Sequence, residues 1–240
     1  MPSFLQRRFQ VRLLLGWVLL AGTAGCGPED FAGPDGELAV SSPQAKEAAA
    51  ITDPLSSATD RPARRPPSLR PRVEIETSQG TILLELDAAR APGTVRNFLD
   101  YVNSEFYDDT IVHYVEKESM ILAGGYGTDK KPRTPRSPIR NEAHNGLKNV
   151  RGTIAMSRPM DLIDSATSQF FLNVRDNPLL DYQEDTAEGY GYCVFGRVIE
   201  GMDVVDRIAA TPVRGENEPV TPVVIQHIRE LTNAPTAARK

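Results

Sequence analysis

From Val73 onward the chain alternates. In VEIETSQGTILLELD, Val73 and Ile75 are interleaved with Glu74 and Glu76, and Ile82, Leu84 and Leu86 repeat the two-residue period. Such a period sends successive side chains to opposite faces, so this stretch predicts a half-buried hairpin turning at Ser78, Gln79 and Gly80. Short apolar runs between turn residues follow, IVHYV, MILAGG, GTIAMS, SQFFLNV and CVFGRVI, and PVVIQHIREL ends the series. Two segments break the habit. APGTVRNFLDYVNSEFY sets Val95, Phe98, Leu99 and Val102 at i, i+3, i+4 and i+7 behind Pro92, which suits a first helical turn, and MDVVDRIAA predicts a second helix. Many short strands with only two helices predict a mainly β fold, a closed or nearly closed antiparallel barrel. A segment of about 160 residues is ample for one such core.

The rest of the 240-residue chain is of another kind. Arg7, Arg8 and Arg12 precede LLLGWVLLAG, an apolar run too short to span a bilayer comfortably, and the run ends in TAGC. This is the pattern of a secretory signal; QRRFQV around the paired arginines fits a twin-arginine signal poorly. TAGC resembles the lipobox of bacterial lipoproteins, in which the chain is cut before the cysteine and that cysteine is acylated. Cys26 would then be a membrane anchor, since several acyl chains hold a protein stably on a bilayer. Thr23 stands where a lipobox usually has Leu, so cleavage by a general signal peptidase is the alternative. From Gly27 to Pro71 the composition turns to Pro, Ala, Ser and Asp with few large apolar residues, too few to offset the entropy of ordering. The expected organisation is a signal over 1–25, Cys26 as first mature residue, a disordered tether over 26–71, a folded domain over 72–231 and a tail over 232–240.

Several chemistries lack support. His113, His144 and His227 are the only histidines, none forms an i, i+4 pair, and there is no CxxC or HExxH, so no metal site is expected. GGYGTD is followed by KKPRTPRSP instead of a helix whose N-terminus could receive phosphate. No GxSxG is present. The net charge of -5 gives no overall pull toward nucleic acid. Cys193, in YCVFGRV, is expected as a core residue.

RGTIAMSRPMDLIDSATSQFFLNV, preceded by NEAHNGL and followed by NPLLD and GYCVFGRVIEGMDVVDRI, resembles the cyclophilins, particularly the bacterial periplasmic type, over roughly residues 72 to 231. The resemblance implies an eight-stranded antiparallel barrel capped by two helices, and peptidyl-prolyl cis-trans isomerase activity without a cofactor. Turning an X-Pro bond means losing amide conjugation, a barrier of about 18 to 20 kcal/mol, and no bond breaks. The catalyst needs an apolar cup for the prolyl ring, groups that hold the flanking backbone, and a donor matched to the twisted amide nitrogen.

Carried over position by position, the resemblance lines the cup with Met120, Phe171, Leu180 and Leu179, places Tyr192 at its rim, and gives Gln169 the substrate backbone. Ser157 and Arg158 fall on the segment that pairs with the peptide. Phe170 and Phe171 should point to opposite faces, Phe170 into the core. One stretch departs from the pattern. Relatives read close to FHRxIPGFMxQGG where this chain has VHYVEKESMILAGG, so the catalytic Arg position is Tyr114, the Phe position is Ser119 and the Gln position is Leu122. Tyr114 offers one neutral hydrogen bond where a guanidinium would offer a charged one. Arg158 is a second conceivable source of that charge if it reaches over the groove; otherwise it is a surface arginine. The expected partners are proline-containing polypeptides and, through Cys26, a membrane of the cell envelope, with no nucleic acid and a monomeric barrel. A non-catalytic proline-binding or chaperone module is the alternative function, because a fold does not fix an activity.

Overall fold

The computed structural model describes residues 69–231. The expected signal, Cys26, nearly all of the tether and the tail lie outside the described residues.

The alternating stretch forms β1 (Arg72–Thr77) and β2 (Gly80–Leu86), with Val73 opposite Leu84 and Ile75 opposite Ile82. All four are buried while Glu74 and Glu76 face solvent, so the two-residue period sorted the faces as physics requires. There follow α1 (Pro92–Asn103), β3 (Thr110–Val112), β4 (Tyr114–Glu116), β5 (Met120–Ala123), β6 (Thr153–Met156), β7 (Phe170–Asn173), β8 (Val194–Glu200), α2 (Met202–Ala209), β9 (Val213–Arg214), β10 (Glu218–Pro219) and β11 (Val223–Leu231).

The main sheet runs β3-β11-β1-β2-β8-β6-β7-β5-β4, every pair antiparallel. Its first and last members are two halves of one bent segment, since only His113 separates β3 from β4. The nine strands are therefore eight staves, and the bend at His113 closes the ring. The sequence run IVHYV had suggested a single straight strand; one half pairs with β11 and the other with β5, and the change of partner needs the bend. The short ribbon of β9 and β10, unforeseen in the sequence, sits against β4, where Val115 N donates to Asn217 O at 2.8 Å.

Phe98 of α1 packs in the barrel interior at 5.4, 5.6 and 5.2 Å from the rings of Tyr107, Phe170 and Phe195, and α2 contributes Val204, Val205 and Ile208 to the same core. Each large apolar side chain buried in this way stabilises the fold by about 1.5 to 3 kcal/mol. Ala91 gives α1 no side-chain cap; instead the Glu142 carboxylate accepts from Gly93 N at 3.1 Å, Thr94 N at 2.8 Å and Thr94 Oγ1 at 2.7 Å. A carboxylate from a distant loop thus satisfies amides that a helix start leaves unpaired. Cys193 is buried on the other side of Thr94, 3.4 Å from its Oγ1, and burial pushes its thiol up to about 12.

Candidate active site

The sheet register assembles a continuous row across five strands. Tyr114 lies opposite Leu122, Leu122 opposite Phe171, Phe171 opposite Ala155, and Ala155 opposite Val194. Residues directly opposite share a face. Here that face is the outside of the barrel: Leu122, Phe171, Ala155 and Val194 form an apolar cluster separate from the interior core, edged by Tyr114, Met120, Leu147, Leu180 and Tyr192. Phe170, the next residue along β7, belongs to the interior core, so the pleat divides the Phe pair between the two. The Phe171 and Tyr192 rings meet edge to face at 5.6 Å.

Polar groups collect on one flank of this row, two residues along from Ala155 and Phe171. Beyond the end of β6, Ser157 N donates to Gln169 O at 2.9 Å, continuing the β6–β7 ladder. The Gln169 side chain lies against Gly125, where an added Cβ would fall 2.7 Å from Gln169 Cδ and push that side chain aside. Gln169 Oε1 is buried and has no hydrogen-bond partner among the described residues. A buried amide oxygen left unpaired costs about 1 to 3 kcal/mol.

At one end of the row, on the edge strand β4, stands Tyr114. Its hydroxyl accepts a hydrogen bond of 3.0 Å from Asn217 Nδ2, on the turn between β9 and β10. Burial pushes the phenol above its usual range; the Asn217 bond pulls it down, and the Glu116 and Glu216 carboxylates push it up again. Glu116 sits directly opposite Met120 and makes no ion pair among the described residues. Tyr114 therefore stays a neutral hydroxyl.

The structure places four of the expected site residues away from the apolar row. Arg158 neither reaches over the groove nor lies on the surface: it is 2% exposed. Its Nε donates to Gly191 O, its Nη1 to the carbonyls of Pro159, Met160 and Leu162, and its Nη2 to Ala187 O, at 2.8 to 3.2 Å. Those five carbonyls take up its donors, and the Tyr192 ring at the edge of the apolar cluster lies 5.2 Å from its guanidinium carbon. Ser119 is only 5% exposed and turned into a knot of amides, its hydroxyl donating to Asn177 Oδ1 at 3.4 Å, so that hydroxyl is engaged inside the fold. Leu179 is 80% exposed on the short turn Pro178–Leu180, outside the cluster that Leu180 joins. Ser157 is buried and its amide is already used by Gln169, whereas the backbone N–H and C=O of Arg158 make no hydrogen bond among the described residues.

Met120, Phe171, Leu180, Tyr192, Leu122, Tyr114 and Gln169 are thus brought together. Sequence reasoning missed Ala155, Val194 and Leu147, which complete the apolar row, and Asn217. The first two were legible as outward positions of GTIAMS and CVFGRVI once the Phe171 register was known. Asn217 had only the turn composition of RGENEP to announce it, and nothing local ties that turn to Tyr114.

Comparison with known proteins points the same way. The family model described as cyclophilin type peptidyl-prolyl cis-trans isomerase/CLD matches residues 72–230. Peptidyl-prolyl cis-trans isomerase cyp18 of Streptomyces antibioticus is 50% identical over 163 residues, 66% of this chain and 98% of that protein. Peptidyl-prolyl cis-trans isomerase A of Dickeya dadantii is 47% identical over 158 residues, 64% of this chain and 81% of the relative. A solved cyclophilin-type isomerase of Cryptosporidium parvum, 23% identical, superposes with a TM-score of 0.57 over 69% of this chain and 99% of that one, which speaks for the fold. With the barrel, the outward apolar row and the matched family model in agreement, this chain belongs to the cyclophilin-type peptidyl-prolyl cis-trans isomerases.

Proposed function

We propose that the domain isomerises X-Pro bonds of exported polypeptides at a reduced rate, as a monomer in the cell envelope, held to a membrane through acylated Cys26 with 26–71 as its tether. The observation that carries this reading is the row Tyr114, Leu122 and Phe171 with the unpaired Gln169 Oε1 at its flank. Phe171, Met120 and Leu122 offer the prolyl ring an apolar seat. Gln169 and the Arg158 peptide unit hold the backbone on one side of it. Tyr114 supplies the donor that meets the deconjugating prolyl nitrogen.

The reduced rate follows from the identity of that donor. Loss of one charged transition-state donor typically lowers a rate by about 10² to 10³. A neutral hydroxyl recovers part of this, and Leu122 in place of a Gln removes a further polar contact. Export and anchoring rest on the residues before Gly27, and so are independent of the groove.

Cis–trans exchange of a prolyl peptide, followed by NMR with the protein present, tests the catalytic part. The expected result is measurable acceleration well below that of a cyclophilin carrying the usual Arg; equal acceleration would refute the impairment. Peptide binding without acceleration would make the barrel a binding module. Mass spectrometry of the mature N-terminus tests the anchor, and an unmodified peptide starting elsewhere than Cys26 would overturn it.

A further inference from the structure

Asn217 grips β4 twice. Its carbonyl accepts from Val115 N at 2.8 Å, and its side-chain Nδ2 donates to the Tyr114 hydroxyl at 3.0 Å. The two contacts reach adjacent residues, so the turn holds both the backbone beside Tyr114 and the end of its ring. Asn217 has φ +65, a left-handed conformation that Asn and Asp tolerate far better than most residues.

The direction of the second bond matters. An amide nitrogen can only donate, so the phenolic oxygen accepts here and its own proton is not spent on Asn217. That proton remains for a partner on the groove side, where Leu122 and Phe171 provide no acceptor. Glu116 and Glu216 beside the ring oppose ionisation of the phenol, which keeps that proton in place.

We propose that Asn217 is a positioning residue for catalysis: by donating to the Tyr114 oxygen it fixes the hydroxyl as a donor toward the prolyl amide of a bound substrate. This rests on the reading of the groove as a proline site with Tyr114 as its donor.

Asn217→Asp is the discriminating variant. It keeps the shape and the tolerance for positive φ, but a carboxylate accepts where the amide donated, so it draws the phenolic proton away from the groove. The full chain and its variants are compared by NMR exchange on one prolyl peptide, with kcat and KM resolved and thermal unfolding as the control for folding. Asn217→Asp is expected to lower kcat about as much as Tyr114→Phe, roughly three- to tenfold for one neutral hydrogen bond, with KM within twofold of the parent. On the Tyr114→Phe background Asn217→Asp should cost nothing more. The proposal is overturned if Asn217→Asp retains the parental kcat, if its loss is undiminished without the Tyr114 hydroxyl, or if the loss falls on KM. Should Asn217→Asp fold poorly, Tyr114→Phe alone still decides, because an unchanged kcat there removes the donor that Asn217 is said to hold. A parent protein that neither binds nor turns over any prolyl peptide would instead overturn the reading of the groove itself.

Discussion

The guanidinium carbon of Arg158 lies 5.2 Å from the centroid of the Tyr192 ring, and its nitrogens are directed at five backbone carbonyls from two loops. Burial works against the charge, while Tyr192, Asp161 and Asp164 favour it. The residue that the sequence offered as a spare catalytic cation is the pin that fastens the loop after β6 to the loop before β8.

Removing that pin should therefore be a stability experiment. Arg158→Leu leaves several carbonyls without donors, each costing on the order of 1 kcal/mol, and a loss of about 3 kcal/mol lowers the melting temperature of a domain this size by roughly 6 to 12 °C. Arg158→Lys should rescue little, because an ammonium cannot fan out to the same set. Thermal unfolding checks this, and a shift under about 2 °C for Arg158→Leu would contradict it.

Tyr114→Arg restores a charged donor at the end of the row, beside two carboxylates able to hold it in place. Its kcat is expected to rise about tenfold or more, with the same peptide and little change in KM. A rate that stays flat or falls would show that Leu122 and the turn at 116–118 have remodelled the groove beyond that one position.

The same carboxylates imply a preference among peptides. Glu116 sits opposite Met120 without an ion-pair partner among the described residues, and the Glu216 charge is felt at the Tyr114 phenol. Peptides with Lys next to the proline should be turned over a few fold faster than those with Glu at about 10 mM salt, and the gap should close above about 0.1 M as screening sets in. Equal rates at low salt on both flanks of the proline would exclude the effect.

Stability should also fall with acid, in a window set by His113. Its ring is packed 4.7 Å from that of Tyr126, its Nδ1 has no hydrogen-bond partner among the described residues, and burial pulls it from 6.5 down to about 4 against a backbone hydrogen bond at Ile111. Between those values the unfolded chain binds a proton that the folded one refuses. The contribution is complete above pH 6.5, shrinks as pH falls, and is gone near pH 4, a loss of about 3 kcal/mol. Urea unfolding across that range should show the decline, and His113→Phe should flatten it; an identical slope in that variant would place the titration elsewhere.

How far the sequence could be read depended on the range of the interaction. The β1–β2 hairpin, both helices and the division of Phe170 from Phe171 are local patterns of burial, and all were legible before any coordinates. The bend at His113 was not, because it arises from two halves of one segment choosing different distant partners. Arg158 and Ser119 misled for a related reason. A residue type names the bonds a side chain can make, whereas the loops that reach it, here 187–191 and Asn177, decide which are made. The resemblance placed Leu179 in the cup beside Leu180, and a single residue's turn in the Pro178–Leu180 helix separates them.

The last strand sits between the first and the third, since β11 pairs with β1 on one side and with β3 on the other. Until residues 223–231 have emerged, β1 and β3 each expose a row of unmatched amides, and no earlier portion of the chain can take that place. Closure of the ring therefore waits on β11, and a chain lacking that strand leaves two sheet edges open to wrong pairing.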